Sequence, residues 1–512
     1  MVLGTASDAG KSLTVAALCR ILRQDGFDVA PFKAQNMALN SFATQEGHEI
    51  GRAQAVQAQA ARLEPHVDMN PILLKPTSDV GSQVILNGKV MGNFKGVDYY
   101  ELKPLLLETV SAAYQRLATR HEIIVIEGAG SPVEMNLKDR DVVNLQMAEI
   151  ANAKCLLVTD IDRGGVFASL VGTYALLEPI ERARFCGFLI NKFRGDISLF
   201  LPGIDYLEER LSQPCLGVIP YLHNHGIDDE DSVSIERRAV LPPNAPSDEE
   251  NLSVCIVGLP YLSNFTDFTA LEHLTNVSLY YTRRPDEARF ADVMILPGSK
   301  NTISDLLWLR ENGWERVIEE HVASGKPLLG ICGGFQMLGR EIRDPHRTES
   351  DVELVSGLNV LNVTTILARE KITSQATARF SESACFDRDM VDPLFTGYEI
   401  HLGDTALGEG VQPVFQLQRL GEKESLHDGA SSDDGLIFGT YLHGLFDSSE
   451  GLTAVVNHWR RIRGKSASTI VVDPLAERER RYDALADHYR RNLKLDLIYR
   501  ALPNLWTDGW LR

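Results

Sequence analysis

An apolar Val2-Leu3, a glycine, a run of small residues, then Gly10-Lys11-Ser12 opening an apolar-periodic helix: no other feature of this chain restricts its fold as much. A strand that feeds a helix this way needs a parallel sheet, because the helix must return along the sheet face before the next strand can add. The loop Gly4-Thr5-Ala6-Ser7-Asp8-Ala9-Gly10-Lys11-Ser12 also has the chemistry of an anion cradle. Glycines let successive backbone N–H groups face one phosphate, and the helix N-terminus adds positive potential. Lys11 reaches β/γ oxygens and the Ser12 hydroxyl suits Mg²⁺. Gly4, Thr5, Asp8, Ala9, Gly10, Lys11 and Ser12 are therefore candidate ATP-binding residues. Gly4 stands six before Gly10, one more than the usual spacing. Only Met1, Val2 and Leu3 precede it, short for a buried strand, which points to a start slightly upstream.

The first half continues the pattern. Residues 123–126, 155–159 and 187–190 are short apolar runs without strict alternation, as expected of strands covered on both faces. Helical stretches at 13–24 and 102–118 lie between them, and Gly217-Val218-Ile219-Pro220 reads as the last strand. Residues 223–250 are acidic, and Leu241-Pro242-Pro243-Asn244-Ala245-Pro246 cannot hold regular structure. A second α/β pattern follows, with strands at 252–258, 293–296 and 327–331. From 448 the chain turns helical and Arg-rich, with helices expected at 452–463 and 476–502. The expected division is 1–235, a linker 236–250, 251–447 and a helical extension 448–512. For 512 residues, two or three domains are the prior.

Asp+Glu 70 against Lys+Arg 51 gives a net charge of −19, which argues against a general nucleic-acid or membrane-surface binder. Seven cysteines without a CxxC pair argue against a disulfide scaffold or a zinc site and fit a reducing cytoplasm. No secretory n-region and no apolar run of ~18 residues occurs.

Two further strand ends carry chemistry. Glu127 follows the strand 123–126 and opens Glu127-Gly128-Ala129-Gly130, the place of a Mg²⁺-organising carboxylate. Leu328-Leu329-Gly330-Ile331-Cys332-Gly333-Gly334-Phe335-Gln336 sets a cysteine on a sharp strand-to-helix turn. The helix N-terminus favours its thiolate, and the Gly333 N–H can face an oxyanion. His443 in Thr440-Tyr441-Leu442-His443-Gly444 supplies a base at another strand end. Glu399 is a possible orienter for it, and no third group is assigned. A half that releases ammonia and a half that activates with ATP together imply conversion of carboxylate to amide.

The extended phosphate loop with Glu127-Gly128-Ala129-Gly130 resembles the dethiobiotin synthetase branch, in which the γ-phosphate goes to a carboxylate. By that resemblance Asn191 would contact adenine. Partition-type ATPases carry a lysine where Ala6 stands. Pro297-Gly298-Ser299-Lys300 resembles the second oxyanion turn of class I glutaminases, placing Gly298 beside Gly333. The usual glutamate two residues after the histidine is replaced by Leu445, as in the cobalamin-pathway amidotransferases. Phe32 to Ser41, Asn70 to Pro76, Asp160 to Phe167 and Ser263 to Phe268, with the Cys332 and His443 segments, resemble the cobyric acid synthase family over nearly the whole chain. The resemblance implies an α/β fold of two doubly wound domains, P-loop NTPase-like and class I glutaminase-like, with a helical C-terminal extension. It implies ATP, Mg²⁺, glutamine and adenosylcobyrinic acid a,c-diamide as ligands. Four carboxylates would be amidated by a Cys332–His443 pair working with the ATP site. Lys33, Gln35, Asn36, Asn40 and Lys75 have the cationic and amide groups that a polycarboxylate needs. Among Asp139, Asp141, Asp160 and Asp162, Asp141 is the expected catalytic acid, with Ser12 and Glu127 as metal ligands. No second metal carboxylate is evident near Gly51-Arg52-Ala53-Gln54.

Other readings are an earlier corrinoid or a cell-wall amidotransferase, a regulatory nucleotide-binding protein with an inactive glutaminase half, and dethiobiotin synthetase itself. Intact Cys332 and His443 count against the second, and residues 251–447 against the third. A homo-oligomer is compatible with all of them.

Overall fold

The computed structural model describes residues 1–77, 81–223, 225–228, 250–384, 386, 392–468, 473–502, 506–507 and 510–511. The expected linker 236–250 lies outside them except for Glu250.

The strand Val2–Gly4 sits at the centre of the first sheet. It pairs in parallel with Cys155–Asp160, which pairs with Phe185–Phe193, which pairs with Cys215–Pro220. On its other side a parallel bridge from Val2 to Glu127 joins Ile123–Ile126, and that strand pairs with Val29–Phe32. Leu156 and Val158 turn to one core with Val15, Leu18 and Ile21, whereas Leu157 turns to the other with Leu170, Phe188 and Leu207. Both faces are covered, so these strands are apolar throughout. The helices Lys11–Gln24 and Lys103–Ala118 fall within one or two residues of their expected bounds.

Between Val29–Phe32 and Ile123–Ile126 the chain makes an insertion the sequence did not announce. Gln35–Met37, Ile72–Pro76, Gly81–Leu86 and Lys89–Lys95 form a small sheet, and Ser41–Ala43 pairs antiparallel with Glu49–Gly51. The segments read as ligand-contacting are thus the strands of a platform set on the first sheet.

In the second half Val277–Thr282, Leu252–Val257, Val293–Leu296, Leu328–Ile331 and Ile437–Thr440 run parallel in that spatial order. Beside them stands a mainly antiparallel sheet built on the long hairpin Val363–Phe380 and Phe395–Leu407. The first of these strands alternates at both ends but has no buried residue over 368–375, so it carries no sustained period of two.

The expected C-terminal extension does not act as one unit. Ser449–Ile462 buries Leu452, Val455, Val456 and Trp459 in the second half's core. Pro474–Asn492 crosses back to the first half, where Tyr482, Leu485, Ala486 and Tyr489 close over Val15 and Leu18. Arg20, fully buried, pairs with Glu479 and Asp483 of this strap at 2.8 Å each. The helix expected over 476–502 breaks after Asn492 and resumes as Leu495–Ala501. No helix among the described residues is long and apolar enough to cross a membrane.

Candidate functional site

At the glycine loop, Gly10 has φ 96° and ends directly in the helix Lys11–Gln24. A Cβ at Gly10 would lie 2.0 Å from the Asn191 Nδ2, and that nitrogen donates to the Ala9 carbonyl at 3.0 Å. Asn191 is therefore buried against the loop, which it braces through Ala9. Lys11 Nζ donates to the carbonyls of Ala6 at 2.9 Å and Gly130 at 3.2 Å, which holds the ammonium inside the loop. Thr5 is pinned by its N–H to the Val158 carbonyl and by its hydroxyl to Thr159. Asp8, at φ 56°, pairs with Arg163 at 2.7 Å. The glycine cradle and the inward lysine fit a nucleotide triphosphate.

Glu127 is the hub of this site. Its buried carboxylate accepts from Ser12 Oγ at 2.8 Å, from Lys33 Nζ at 3.0 Å and from Gln57. Ser12 and Glu127, the expected Mg²⁺ pair, are thus in direct contact, and oxygen ligands of this kind suit that ion. Lys33, Asn36 and Asn40 are buried, so they build walls. Asn36 donates to Gln54 at 2.9 Å, while the partly exposed Gln35 accepts from Tyr99. Asp141, the expected catalytic acid, is engaged by the backbone. Its carboxylate accepts three backbone N–H groups, from Val143, Asn144 and Gln146, at 2.9–3.0 Å. It caps the turn into Leu145–Ile150, and Asn144 there bonds both the N–H and the carbonyl of Ala129. Asp141 therefore shapes the Glu127–Gly130 loop from behind. Asp160 pairs with Lys192 and Asp162 with Arg194.

The second constellation lies in the other half. Cys332 has φ 52° and ψ −109°, a conformation that costs about 1–3 kcal/mol and survives only where the surroundings enforce it. They do so by close packing. A Cβ on Gly334 would lie 2.0 Å from the Leu296 carbonyl oxygen, and one on Gly330 2.7 Å from the Phe335 nitrogen. The sulfur lies at the N-terminus of Gly333–Leu338 and 3.6 Å from the Ile400 carbonyl. His443 faces it, held by two backbone bonds to Tyr398 and stacked on the Tyr398 ring.

The orienting group is Asp267, in the family-like segment Ser263 to Phe268. Its Oδ2 accepts from His443 Nδ1 at 2.7 Å. That bond engages Nδ1 and leaves Nε2 as the ring nitrogen available to the sulfur. Burial opposes a charge on His443, but the Asp267 carboxylate and the Cys332 sulfur outweigh it and raise the imidazole to about 10. Glu399 instead bonds His401 at 3.2 Å and Arg419 at 2.6 Å, away from the pair. No spacing rule links Asp267 to His443; only the fold brings residues 176 apart together.

Cys332 and His443 open into a cavity whose walls come from both halves. Ser299, Lys300, Glu349, Lys371 and His401 belong to the second, and Ser41 and Lys75 to the first. Asn264, beside His443, accepts from the Ser41 N–H at 3.1 Å, so the insertion platform rests directly on the cysteine site.

Residues 1–231 match the family described as CobQ/CobB/MinD/ParA nucleotide binding domain, and residues 253–451 match CobB/CobQ-like glutamine amidotransferase domain. Curated relatives named cobyric acid synthase match over nearly the full length. That of Syntrophobacter fumaroxidans is 47% identical over 509 residues, covering 99% of this chain and 98% of its own. That of Klebsiella pneumoniae subsp. pneumoniae is 48% identical, covering 98% and 97%. That of Clostridium botulinum is 44% identical, covering 98% of each.

Proposed function

The chain belongs to the cobyric acid synthase family, and from that premise we propose that it amidates carboxylates b, d, e and g of adenosylcobyrinic acid a,c-diamide, giving adenosylcobyric acid. Glutamine is the nitrogen source and ATP the activator. The observation that carries this reading is the Cys332–His443–Asp267 set, open to a cavity walled partly by the nucleotide half.

The glutaminase chemistry follows from the charges. The His443 imidazolium, held by Asp267, stabilises the Cys332 thiolate, which attacks the glutamine amide carbon. The N–H groups of Gly333 and Gly298 would take the oxyanion. His443 then gives its proton to the departing nitrogen, which leaves as ammonia, and water cleaves the thioester to glutamate with His443 as base. Lys300 and Glu349 offer opposite charges to a zwitterionic amino acid in the same cavity.

In the other half, Gly4, Thr5, Asp8, Ala9, Gly10, Lys11 and Ser12 hold the nucleotide, with Asn191 fixing the loop. Lys11 neutralises phosphate oxygens, and Ser12 with Glu127 supplies oxygens for Mg²⁺. A carboxylate needs activation before ammonia can displace its oxygen, and phosphorylation by ATP is the chemistry supplied there. Lys33, Gln35, Asn36 and Asn40 build the adjacent wall that would face a polycarboxylate. Asp141 acts by positioning the Glu127 loop. Free thiols at the six described cysteines fit a cytoplasmic setting.

The test is mass spectrometry of adenosylcobyrinic acid a,c-diamide incubated with the protein, glutamine and Mg-ATP. Four successive mass decreases, each the exchange of an OH for an NH₂, are expected. An unchanged substrate with folded, ATP-binding protein would overturn the choice of corrinoid.

A further inference from the structure

Glu49 is 1% exposed, yet it is flanked by two ammonium groups. Its Oε1 lies 2.6 Å from Lys75 Nζ and its Oε2 2.6 Å from Lys371 Nζ. Glu49 and Lys75 belong to the insertion of the first half, and Lys371 to the long hairpin of the second. The triad thus straddles the seam between the halves, and both of its lysines line the cavity that holds Cys332. Other contacts close the same seam. Lys75 also donates to Ser41 Oγ at 2.8 Å, and Gln375 donates to the Ala43 carbonyl. A Cβ on Gly47 would lie 2.9 Å from the Thr373 carbonyl oxygen.

Docking alone does not call for these charges. Replacing a buried ion triad by apolar side chains of similar volume is often neutral or stabilising, so three charges at one seam need another reason. The cavity supplies one. Ammonia formed at Cys332 is a nucleophile only while neutral, and an opening to water would both lose it and protonate it. Burial already lowers the ammonium groups of Lys75, to about 7, and of Lys300 in this tight wall, so a further cation is disfavoured there and neutral ammonia is admitted.

We propose that Glu49 and Lys371 are positioning residues for amide formation: their ion pair, anchored by Lys75, seals the seam around the Cys332 cavity, so that nitrogen released there reaches the nucleotide half and not solvent. This rests on the amidotransferase reading above. Burial disfavours the Glu49 charge, but Lys371 and Lys75 together hold its carboxyl well below the usual range, consistent with a closed triad.

The experiment uses full-length wild type, Glu49→Gln and Lys371→Met. Each is given amide-¹⁵N glutamine, excess unlabelled ammonium chloride, Mg-ATP and the corrinoid. The readouts are the ¹⁵N content of the product and the glutamate formed per amide. Wild type is expected to incorporate mainly ¹⁵N with near one-to-one stoichiometry. In both variants glutamate per amide rises about threefold or more and unlabelled nitrogen enters the product, as one partner of a buried pair is lost. Synthesis from ammonium alone stays at the wild-type rate, and Lys371→Arg restores the coupling. Unchanged stoichiometry in both variants overturns the proposal. So does a rise in glutamine KM with the ratio intact, which would make Lys371 a glutamine ligand. Loss of ammonium-dependent synthesis in the variants, with wild type active, would make the triad a structural brace and also refute it. Wild type inert with either nitrogen source would instead refute the amidotransferase reading.

Discussion

Replacing Asp267 by Asn keeps the shape of the glutaminase site and removes one charge. The structure sets the size of the effect. His443 is raised from 6.5 to about 10, against burial, by Asp267 and by the Cys332 sulfur. That difference is worth about 5 kcal/mol. If the carboxylate carries half or more of it, the transition state loses about 3 kcal/mol, roughly a hundredfold in rate. The amide side chain also presents a donor where Nδ1–H now donates, which disfavours the tautomer that faces the sulfur. Glutamine hydrolysis, followed as glutamate released, should therefore fall about 10²-fold in kcat, with ammonia-dependent synthesis unchanged. The pH profile gives a second reading. Wild type should hold activity until the imidazolium deprotonates near pH 10, and the variant's alkaline limb should move to lower pH. The same raised value stabilises the fold fully below pH 6.5 and ceases to do so as pH climbs through about 10. Thermal melts of the variant should show a smaller alkaline loss. Hydrolysis within threefold of wild type and an unmoved alkaline limb would refute the role given to Asp267.

Lys11→Ala should abolish synthesis from either glutamine or ammonium, because the cation inside the loop is lost; unchanged synthesis would remove the phosphate-loop assignment. Cys332→Ala should lose glutamine-dependent activity and retain the ammonium-dependent reaction, and loss of both would make the cysteine structural. Leu485→Ala opens a void between the strap helix and Lys11–Gln24 and should cost about 2–5 kcal/mol, read as a lower denaturation midpoint. A midpoint unchanged within error would mean the strap does not support the first half's core.

The parallel strands and both elbows were legible because each writes its geometry locally. Gly10 and Gly334 stand where a Cβ would strike Asn191 or the Leu296 carbonyl, and the apolar run before each is a strand buried on both faces. Long-range partners leave no such local mark. Asp267 lies in the short turn Phe265–Phe268, with nothing local to mark it, until the fold brings it to His443. Glu399, nearer to His443 in sequence, is claimed by His401 and Arg419. Asp141 stands near a strand end, where chemistry is expected, yet backbone amides take its carboxylate. Lys33 and Asn36 read as ligand contacts because a polycarboxylate needs cations and amides, and the structure also engages them with Glu127 and Gln54. The insertion platform escaped because its strands are short and run from the buried Ile72–Pro76 to the outlying Lys89–Lys95, and the long hairpin because its alternation lapses over 368–375.

The strap helix has a consequence for synthesis on the ribosome. The apolar face of Lys11–Gln24 is made long before Tyr482, Leu485 and Tyr489, which cover it. Thr14 waits for the Tyr489 hydroxyl, 475 residues later, and Arg20 for two carboxylates about as distant. The nascent amino-terminal half therefore emerges with an uncovered greasy patch and an unneutralised guanidinium for most of elongation. Messages cut short before the strap codons yield chains in which Lys11–Gln24 lacks this cover, a ready mark for chaperones and proteases.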